Sequence, residues 1–572
     1  MKGRGLLPAW AADYHRPHLR SDLAAGVTVG AMLVPQAMAY ALLAGLPPEV
    51  GLYAATVPVV VYALLGTSRQ LAVGPVAIVS LLTASALAPV VEEGTVGYVA
   101  AAALLALLVG VLHVVLGVAR LGLVVHLLSH PVLVGFTAAA AVIIGVSQVK
   151  HVLGIDIERR SLVHETLFDV VASIGETNGA TLAVGLASLL ALVGCKRYRP
   201  RWPAALLVVV GSVLAVEVLD LDARGVAVVG DIPTALPVFA VPTVDGSIVV
   251  DLARAAVVIT LVGFMESMAV AKVYARRHRY NVVPNRELVG LGGANVAAGL
   301  FGGYPVTGGF SRTAVNDAAG GRTPLASIVA ATVVVATLAF FTPLLQSLPK
   351  AALGAVIITA VVGLFDVGEM RRIAAVKRTD LVALVAAFVA TLALGIELGV
   401  VVAVAVSLLV VFARMSMPHM AVLGRLPGTV VFRNVDRFPE ATTVDGVRIV
   451  RVDAPLSFVN ADLVRRRLLR HGAAIADVEP GVLLLDASGV TDLDATAVEV
   501  LHELLQELEA LGVALWLCGV KGPLRDVFRS AGLWEALDGR IYADAYEASV
   551  AIAADHPSAA TDGHVRQPIT TT

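Results

Sequence analysis

Apolar residues run along the chain in blocks of about 17–25, the length a helix needs to cross a hydrocarbon core. Clear blocks occupy residues 22–45, 50–66, 96–118, 122–148, 179–195, 203–219, 250–272, 324–345, 350–366, 380–395 and 397–413. A short block at 73–90, a glycine-rich one at 287–303 and a further one beginning near Ser311 bring the predicted count to fourteen helices. An even count keeps the two ends of this region on one side of the membrane. Lys and Arg decide which side, because they collect in cytoplasmic loops. Lys196, Arg197, Arg199 and Arg201 follow the sixth block, Lys272, Arg276, Arg277, Arg279 and Arg286 the eighth, and Arg371, Arg372, Lys377 and Arg378 the twelfth. These loops share a side with the N-terminus, whereas the loops after the first and third blocks carry Glu49, Glu92 and Glu93 and no basic residue. The expectation is a plasma (inner) membrane protein with both termini in the cytoplasm.

Two blocks break the apolar pattern. Residues 301–316 read FGGYPVTGGFSRTAVN, where glycines, a proline, hydroxyl residues and Arg312 interrupt a membrane-deep segment. Non-helical backbone at that depth leaves N–H and C=O groups unpaired at several kcal/mol each, so it occurs only where protein or a water-filled cavity covers it. A half-helix is predicted from about Ser311, with its first N–H groups and positive dipole end facing inward. Such an end attracts anions, and Arg312, able to donate two parallel hydrogen bonds to an oxyanion, adds to the same field. Residues 71–83, LAVGPVAIVSLLT, repeat the form with Gly74–Pro75 as the break. Against a merely snorkelling arginine stands this pairing: two interrupted helices, one in each half, point to a midplane site between inverted repeats.

Laying the first seven blocks on the second seven aligns PQAMAY (35–40) with FMESMAVAKVYA (264–275), so that Gln36 and Glu266 occupy comparable places. Seven is odd, so the second repeat enters the membrane from the opposite face and the repeats are inverted. GLGGANVAAG (290–299) lacks the third glycine of a dinucleotide loop and follows no strand, and it reads instead as close helix packing.

After Arg414 the period changes. VRIVRVDAPLSF (447–458), GVLLLDAS (481–488) and GVALWLCGV (512–520) read as buried strands, and 461–474, 494–512 and 521–533 as amphipathic helices. Alternating strands and helices make a small α/β domain. The predicted organisation is an N-terminal segment over 1–20, a transmembrane domain over 21–414, an α/β domain over 415–555 and a polar, disordered tail over 556–572. Composition agrees: of 572 residues 58% are hydrophobic and 15% charged, with a mean hydropathy of +0.84. A formal charge of −2 says nothing about a nucleic-acid partner; no basic, aromatic-interleaved patch appears, and none is expected. Cys195 and Cys518 stand alone in their domains, so no disulfide framework or metal site is expected. The first 22 residues lack the apolar core of a signal peptide. No nucleophile–base pair or phosphate-cradling loop is visible, so an enzyme and a cofactor are not expected.

SHPVLVGFTAA (129–139), FGGYPVTGGFSRTAVN, AALGAVIITAVVGLFD (351–366) and LGIELGV (394–400) resemble the sulfate permease (SulP) family of anion transporters, relatives of prestin and pendrin, and the likeness spans about residues 10–550. The resemblance implies a uracil-permease-type fold of seven plus seven helices, with core helices 1–4 and 8–11 moving against a gate of 5–7 and 12–14, commonly in a homodimer. It also implies that the α/β domain is a cytoplasmic STAS domain. Intact PQAMAY and FSRT carry over Gln36, Tyr40, Ser311 and Arg312 as contacts to the anion, with backbone N–H groups near Val76 and Ala77 completing the pocket, and place Glu266 as the coupling carboxylate. Soluble STAS relatives are phosphorylated on a serine where DLDATAV puts Thr496; an Asp494 N-cap explains the same run structurally. Glu397 reads as a helix cap in the gate.

The expected function is proton-coupled sulfate symport. Sodium-coupled bicarbonate uptake, known in cyanobacterial relatives, wants a hydroxyl one turn after the acidic residue, where this chain has Val270. A C4-dicarboxylate suits the same positive pocket. From another class, the chain reads as a membrane-tethered anion sensor signalling to a STAS partner.

Overall fold

In the computed structural model, which describes residues 10, 14, 16–123, 129–157, 160, 162–199, 202–244 and 246–555, a helix overlies each of the fourteen apolar blocks. The tail expected over 556–572 and the side chain of Glu397 lie outside what is described. The chain divides into two compact units, Met1–Leu408 and Leu409–Thr572.

Helix α1 (His18–Leu43) contains Pro35, which takes away one intrahelical hydrogen bond directly before Gln36. The second block is two helices, α2 (Pro48–Ala54) and α3 (Val57–Leu65), each started by a proline in its first turn. Two residues of strand, β1 (Val73–Gly74), precede α4 (Ala77–Leu87). Then follow α5 (Val96–Val118), α6 (His130–Leu153), the amphipathic α7 (Val163–Ala172), α8 (Gly179–Tyr198) and α9 (Ala204–Leu219). The second half repeats the form: α10 (Val249–Arg277), α11 (Pro284–Leu300), β2 (Thr307–Gly308), α12 (Phe310–Ala318) and α13 (Leu325–Ala336), which passes through one π turn into α14 (Thr342–Leu345). Next come α15 (Lys350–Val362), the amphipathic α16 (Val367–Val376), α17 (Arg378–Leu394) and α18 (Ile396–Ser416), within which the division between the units falls. Nine helices among the described residues are long and apolar enough to cross a membrane. The helices α4 and α12 are too short, and both begin right after the paired strands.

Small residues set the closest helix contacts, since lipid gives helices no hydrophobic reason to associate and van der Waals packing must do so. A Cβ on Gly292 of α11 would lie 2.9 Å from the carbonyl of Gly110 on α5. The 290–299 run is thus a packing surface. Gly26 and Gly30 of α1 admit Val329 and Val333 of α13 in the same way.

The second unit is a six-stranded sheet in the order β4-β3-β5-β6-β7-β8, from β3 (Met420–Arg425), β4 (Phe432–Asn434), β5 (Val447–Val452), β6 (Val482–Asp486), β7 (Ala514–Cys518) and β8 (Ile541–Tyr542). β5 to β8 are parallel, while β3 runs antiparallel to β4 and β5. Alternate residues of the strands bury opposite faces: Val450, Leu485 and Leu517 pack under α19 (Ala461–Ala473), α20 (Ala495–Ala510) and α21 (Gly522–Ser530). Ile449, Leu484 and Trp516 pack against the last helix, Ala545–Asp555. Burial on both faces explains the apolar runs of β6 and β7, whereas β5 interrupts its run with the half-buried Arg448 and Arg451.

Candidate functional site

The two broken segments meet. β1 and β2 pair antiparallel, Val73 opposite Gly308 and Gly74 opposite Thr307, so the backbone groups freed by each break satisfy those of the other. Side chains close the remaining bonds. Thr307 donates to the carbonyl of Gly263 (2.6 Å), which leaves the Ser267 hydroxyl to donate to Thr307 (2.6 Å) and to accept from the N–H of Gly308 (2.9 Å). Asn295 bonds both the N–H and the C=O of Val306 at 2.9 Å. Thr313 accepts from the N–H of Ala72 (3.0 Å), and Asn316 donates to the carbonyl of Gln70 (2.9 Å). The turn that leads into β1 hangs on Glu287, a fully buried carboxylate that accepts from Tyr62 (2.7 Å), from the N–H of Ser68 (2.9 Å) and from Thr67.

From this ladder α4 and α12 begin with Val76 and Gly309 as N-caps, and neither carries a side-chain cap. Their first N–H groups are free to meet a ligand, with the positive end of each dipole behind them. Beside them lies a cavity of about 400 Å³ lined by Tyr40, Val76, Ala77, Glu266, Ser311 and Arg312, among others.

Arg312 is 1% exposed. One terminal nitrogen, Nη1, donates to the carbonyl of Pro75, while Nε and Nη2 have no partner among the described residues. A buried cationic donor without an acceptor is costly, and its natural complement is an anion in the adjoining space. Two glycines make room for it: a Cβ on Gly309 would lie 2.9 Å from Nη2, and one on Gly74, whose φ is +152°, would lie 3.4 Å from the same atom. The Tyr40 hydroxyl has no partner among the described residues. Glu266 lines the same cavity with one carboxylate oxygen buried and unbonded, and no ion pair joins it to Arg312 among the described residues.

Five of the six predicted contact residues, with Glu266, therefore gather around one space. Gln36 does not line it. It lines a neighbouring cavity of about 580 Å³ that shares Ser311, Ala360 and Gly363 with the first. The sequence reading did not single out His130, Asp366 or Glu369, which line the first cavity, with His130 and Glu369 paired at 2.8 Å. The signal for His130 and Asp366 lay inside the motifs SHPVLVG and VVGLFD, and Glu369 follows the second by three residues. In the second unit Thr496 is exposed at the start of α20, where Asp494 accepts from the N–H of Ala497 (2.9 Å) and from that of Phe458 (2.8 Å). The N-cap is thus formed.

Residues 19–387 match the model of the Sulfate permease family and residues 438–548 that of the STAS domain. The chain is 39% identical over 528 residues to a probable sulfate transporter of Mycobacterium tuberculosis, covering 92% of this chain and 93% of that one. It is also 39% identical over 533 residues to sulfate transporter 4.1, chloroplastic, of Arabidopsis thaliana, covering 91% and 77%. The solved structure of the murine solute carrier 26 family member A9 anion transporter in the inward-facing state superposes with a TM-score of 0.87 at 27% identity, covering 96% of this chain and 94% of that one.

Proposed function

Because this chain belongs to the sulfate permease family and is a multi-pass membrane transporter rather than an enzyme, we propose that it carries sulfate across the plasma (inner) membrane by proton-coupled symport. The observation that carries this reading is the buried Arg312 guanidinium, two of whose nitrogens lack partners among the described residues, beside two uncapped helix starts in a cavity. Two dipole ends and one fixed cation balance a divalent anion. Tyr40 and Ser311 add neutral donors that orient it, the N–H groups at Val76 and Ala77 close it from α4, and Gln36 approaches from the neighbouring cavity. Glu266 takes the coupling proton. Sodium coupling draws less support, since Val270 is fully buried and brings no oxygen one turn beyond Glu266.

The fourteen helices are read as two inverted sevens. The antiparallel β1–β2 ladder and the matching breaks before α4 and α12 support that symmetry. Core residues Tyr40, Val76, Glu266 and Arg312 face gate residues His130, Leu133 and Leu364 across the cavity, where sliding of one set on the other would open it to alternate sides. Both termini and the STAS domain are assigned to the cytoplasm, and the assembly is a homodimer. Thr496, exposed, remains the phosphorylation candidate for a STAS partner.

Purified protein in proteoliposomes tests the reading. Labelled sulfate, bicarbonate and succinate are offered with and without imposed proton and sodium gradients. Sulfate accumulation driven by protons alone is expected; uptake of bicarbonate that follows sodium, or no uptake of any anion, would overturn it.

A further inference from the structure

The half-helix that carries Arg312 ends in a carboxylate. Asp317 lies in the last turn of α12, where the helix dipole disfavours negative charge, and its side chain is only 6% exposed. Its partners are on another helix. Nε2 of His278 donates to Oδ1 at 2.5 Å, and Nη1 of Arg277 to Oδ2 at 2.7 Å. Arg277 is the last residue of α10 and His278 its C-cap, so both donors stand at a helix end that favours a cation. The segment of α12 is therefore tied to α10 twice. Ahead of it, Thr307 and the N–H of Gly308 bond Gly263 and Ser267; at its far end Asp317 bonds Arg277 and His278. Glu266 stands at the first tie and Arg312 between the two. The loop that follows α12 is fixed to α1, where the fully buried Asp22 accepts from the N–H of Arg322 (2.7 Å), the N–H of Thr323 (3.1 Å) and the Thr323 hydroxyl (2.7 Å).

We propose that Asp317 is a positioning residue for coupled transport: its clamp on Arg277 and His278 holds the anion helix α12 at a fixed distance from the proton helix α10, so that the charge state of Glu266 is felt at Arg312. This rests on the symport reading and adds the device that keeps its two sites together. The interaction of two charges falls with their separation, so coupling needs a frame that does not stretch. A bridge between two exposed groups would be worth little, and Arg277 is 68% exposed. The buried carboxylate gives the clamp its weight, because taking away its donors leaves a charge uncompensated. With the clamp open, α12 can pivot on the β1–β2 ladder. Tyr40, the two helix starts and the bond from Arg312 to Pro75 stay in place, so the anion still binds while the proton no longer governs it.

The full-length protein in proteoliposomes tests this by setting exchange against accumulation. Asp317→Asn keeps the shape of the side chain and removes its charge. It should leave sulfate-for-sulfate exchange within about twofold of wild type and lower the sulfate gradient built on an imposed proton gradient about tenfold, the weight of one charge-assisted hydrogen bond. The protons taken up per sulfate should fall as well. Arg277→Gln combined with His278→Gln should have the same effect, and it carries the test where Asp317→Asn does not fold. Adding Asp317→Asn to that pair should change little more, because groups that form one contact are not additive. Arg277→Lys, which keeps the charge, should retain accumulation. Exchange and accumulation lost in equal measure would make Asp317 a support of the fold alone. Unchanged accumulation, or substitutions whose effects simply add, would mean that no clamp operates. Each of these outcomes overturns the clamp and leaves the symport reading standing. A wild type that builds no sulfate gradient from protons overturns the symport reading, and the clamp with it.

Discussion

Of the nitrogens of Arg312, Nη1 alone is satisfied, by the carbonyl of Pro75. That bond holds the guanidinium in place, and its Nε and Nη2 stay buried and unpaired among the described residues. Removing the side chain deletes a charge-assisted contact worth about 1.5–3 kcal/mol, so Arg312→Ala should weaken sulfate binding by about one to two decades while the protein stays folded. Arg312→Lys should recover part of this, because a point charge cannot reproduce the planar fork. Gly309→Ala should also weaken binding although it leaves every ligand-contacting side chain in place, since its Cβ would sit 2.9 Å from Nη2 and 3.0 Å from Cζ. Equilibrium binding of labelled sulfate, beside thermal unfolding to register stability, checks all three; undiminished affinity in Arg312→Ala would mean that the arginine serves the ladder and not the anion. At this scale Arg312 and Glu266 were legible, because a charge in an apolar block announces itself. The supporting polar residues were not. Ser267, Thr307 and Asn295 are ordinary in a membrane sequence, and what they bond depends on which segments meet.

Two-residue strands such as β1 and β2 lie below any periodic signal, since alternation needs at least four residues to be seen. The breaks at Gly74–Pro75 and 302–309 revealed that backbone groups were left over, and the structure shows where they went: to each other. The same limit hid the split of the second block into α2 and α3, and the antiparallel strands β3 and β4, which lie outside the alternating run of the α/β domain. The fourteen helix positions were legible because hydrophobic length is a strong constraint in lipid. The ladder itself hangs on few anchors. Asn295 of α11 satisfies both polar groups of Val306 inside a buried site. Asn295→Ala leaves a buried donor and acceptor unpaired, each costing about 1–3 kcal/mol. The variant should unfold at lower temperature, and its sulfate affinity should fall because β2 carries the start of α12. Asn295→Asp keeps the acceptor for the Val306 N–H and should retain more affinity than Asn295→Ala. Equal losses in the two would mean that side-chain volume, not the bond to β2, is what matters there.

For the molecule as a whole, the placement of basic loops predicts the side on which the α/β unit sits. A phosphatase or fluorescent reporter fused at the C-terminal end should report the cytoplasm, and periplasmic activity would break the even helix count on which the inverted repeat depends. Transport then has to meet an electrical cost. A dianion entering against an inside-negative potential does work of about 2.3 kcal/mol per charge per 100 mV, so accumulation requires protons or another gradient. Under the proposed symport Glu266 would supply the coupling: it lines the cavity of Arg312, and among the described residues neither is paired with the other. When Glu266 is ionised it competes with the anion for the guanidinium, and when protonated it leaves Arg312 to the anion. Proton and anion therefore favour each other's binding, and linkage makes that coupling reciprocal. Glu266→Gln imitates the protonated form. It should bind sulfate with little dependence on pH and exchange labelled sulfate across the proteoliposome membrane, yet fail to accumulate it when a pH gradient is imposed. Wild-type accumulation in Glu266→Gln would move the coupling proton elsewhere, with the His130–Glu369 pair at the edge of the same cavity as the next place to look. Loss of exchange together with accumulation would instead mean that the carboxylate is needed to move the core at all, because a coupling residue replaced by its neutral form blocks only the uphill reaction.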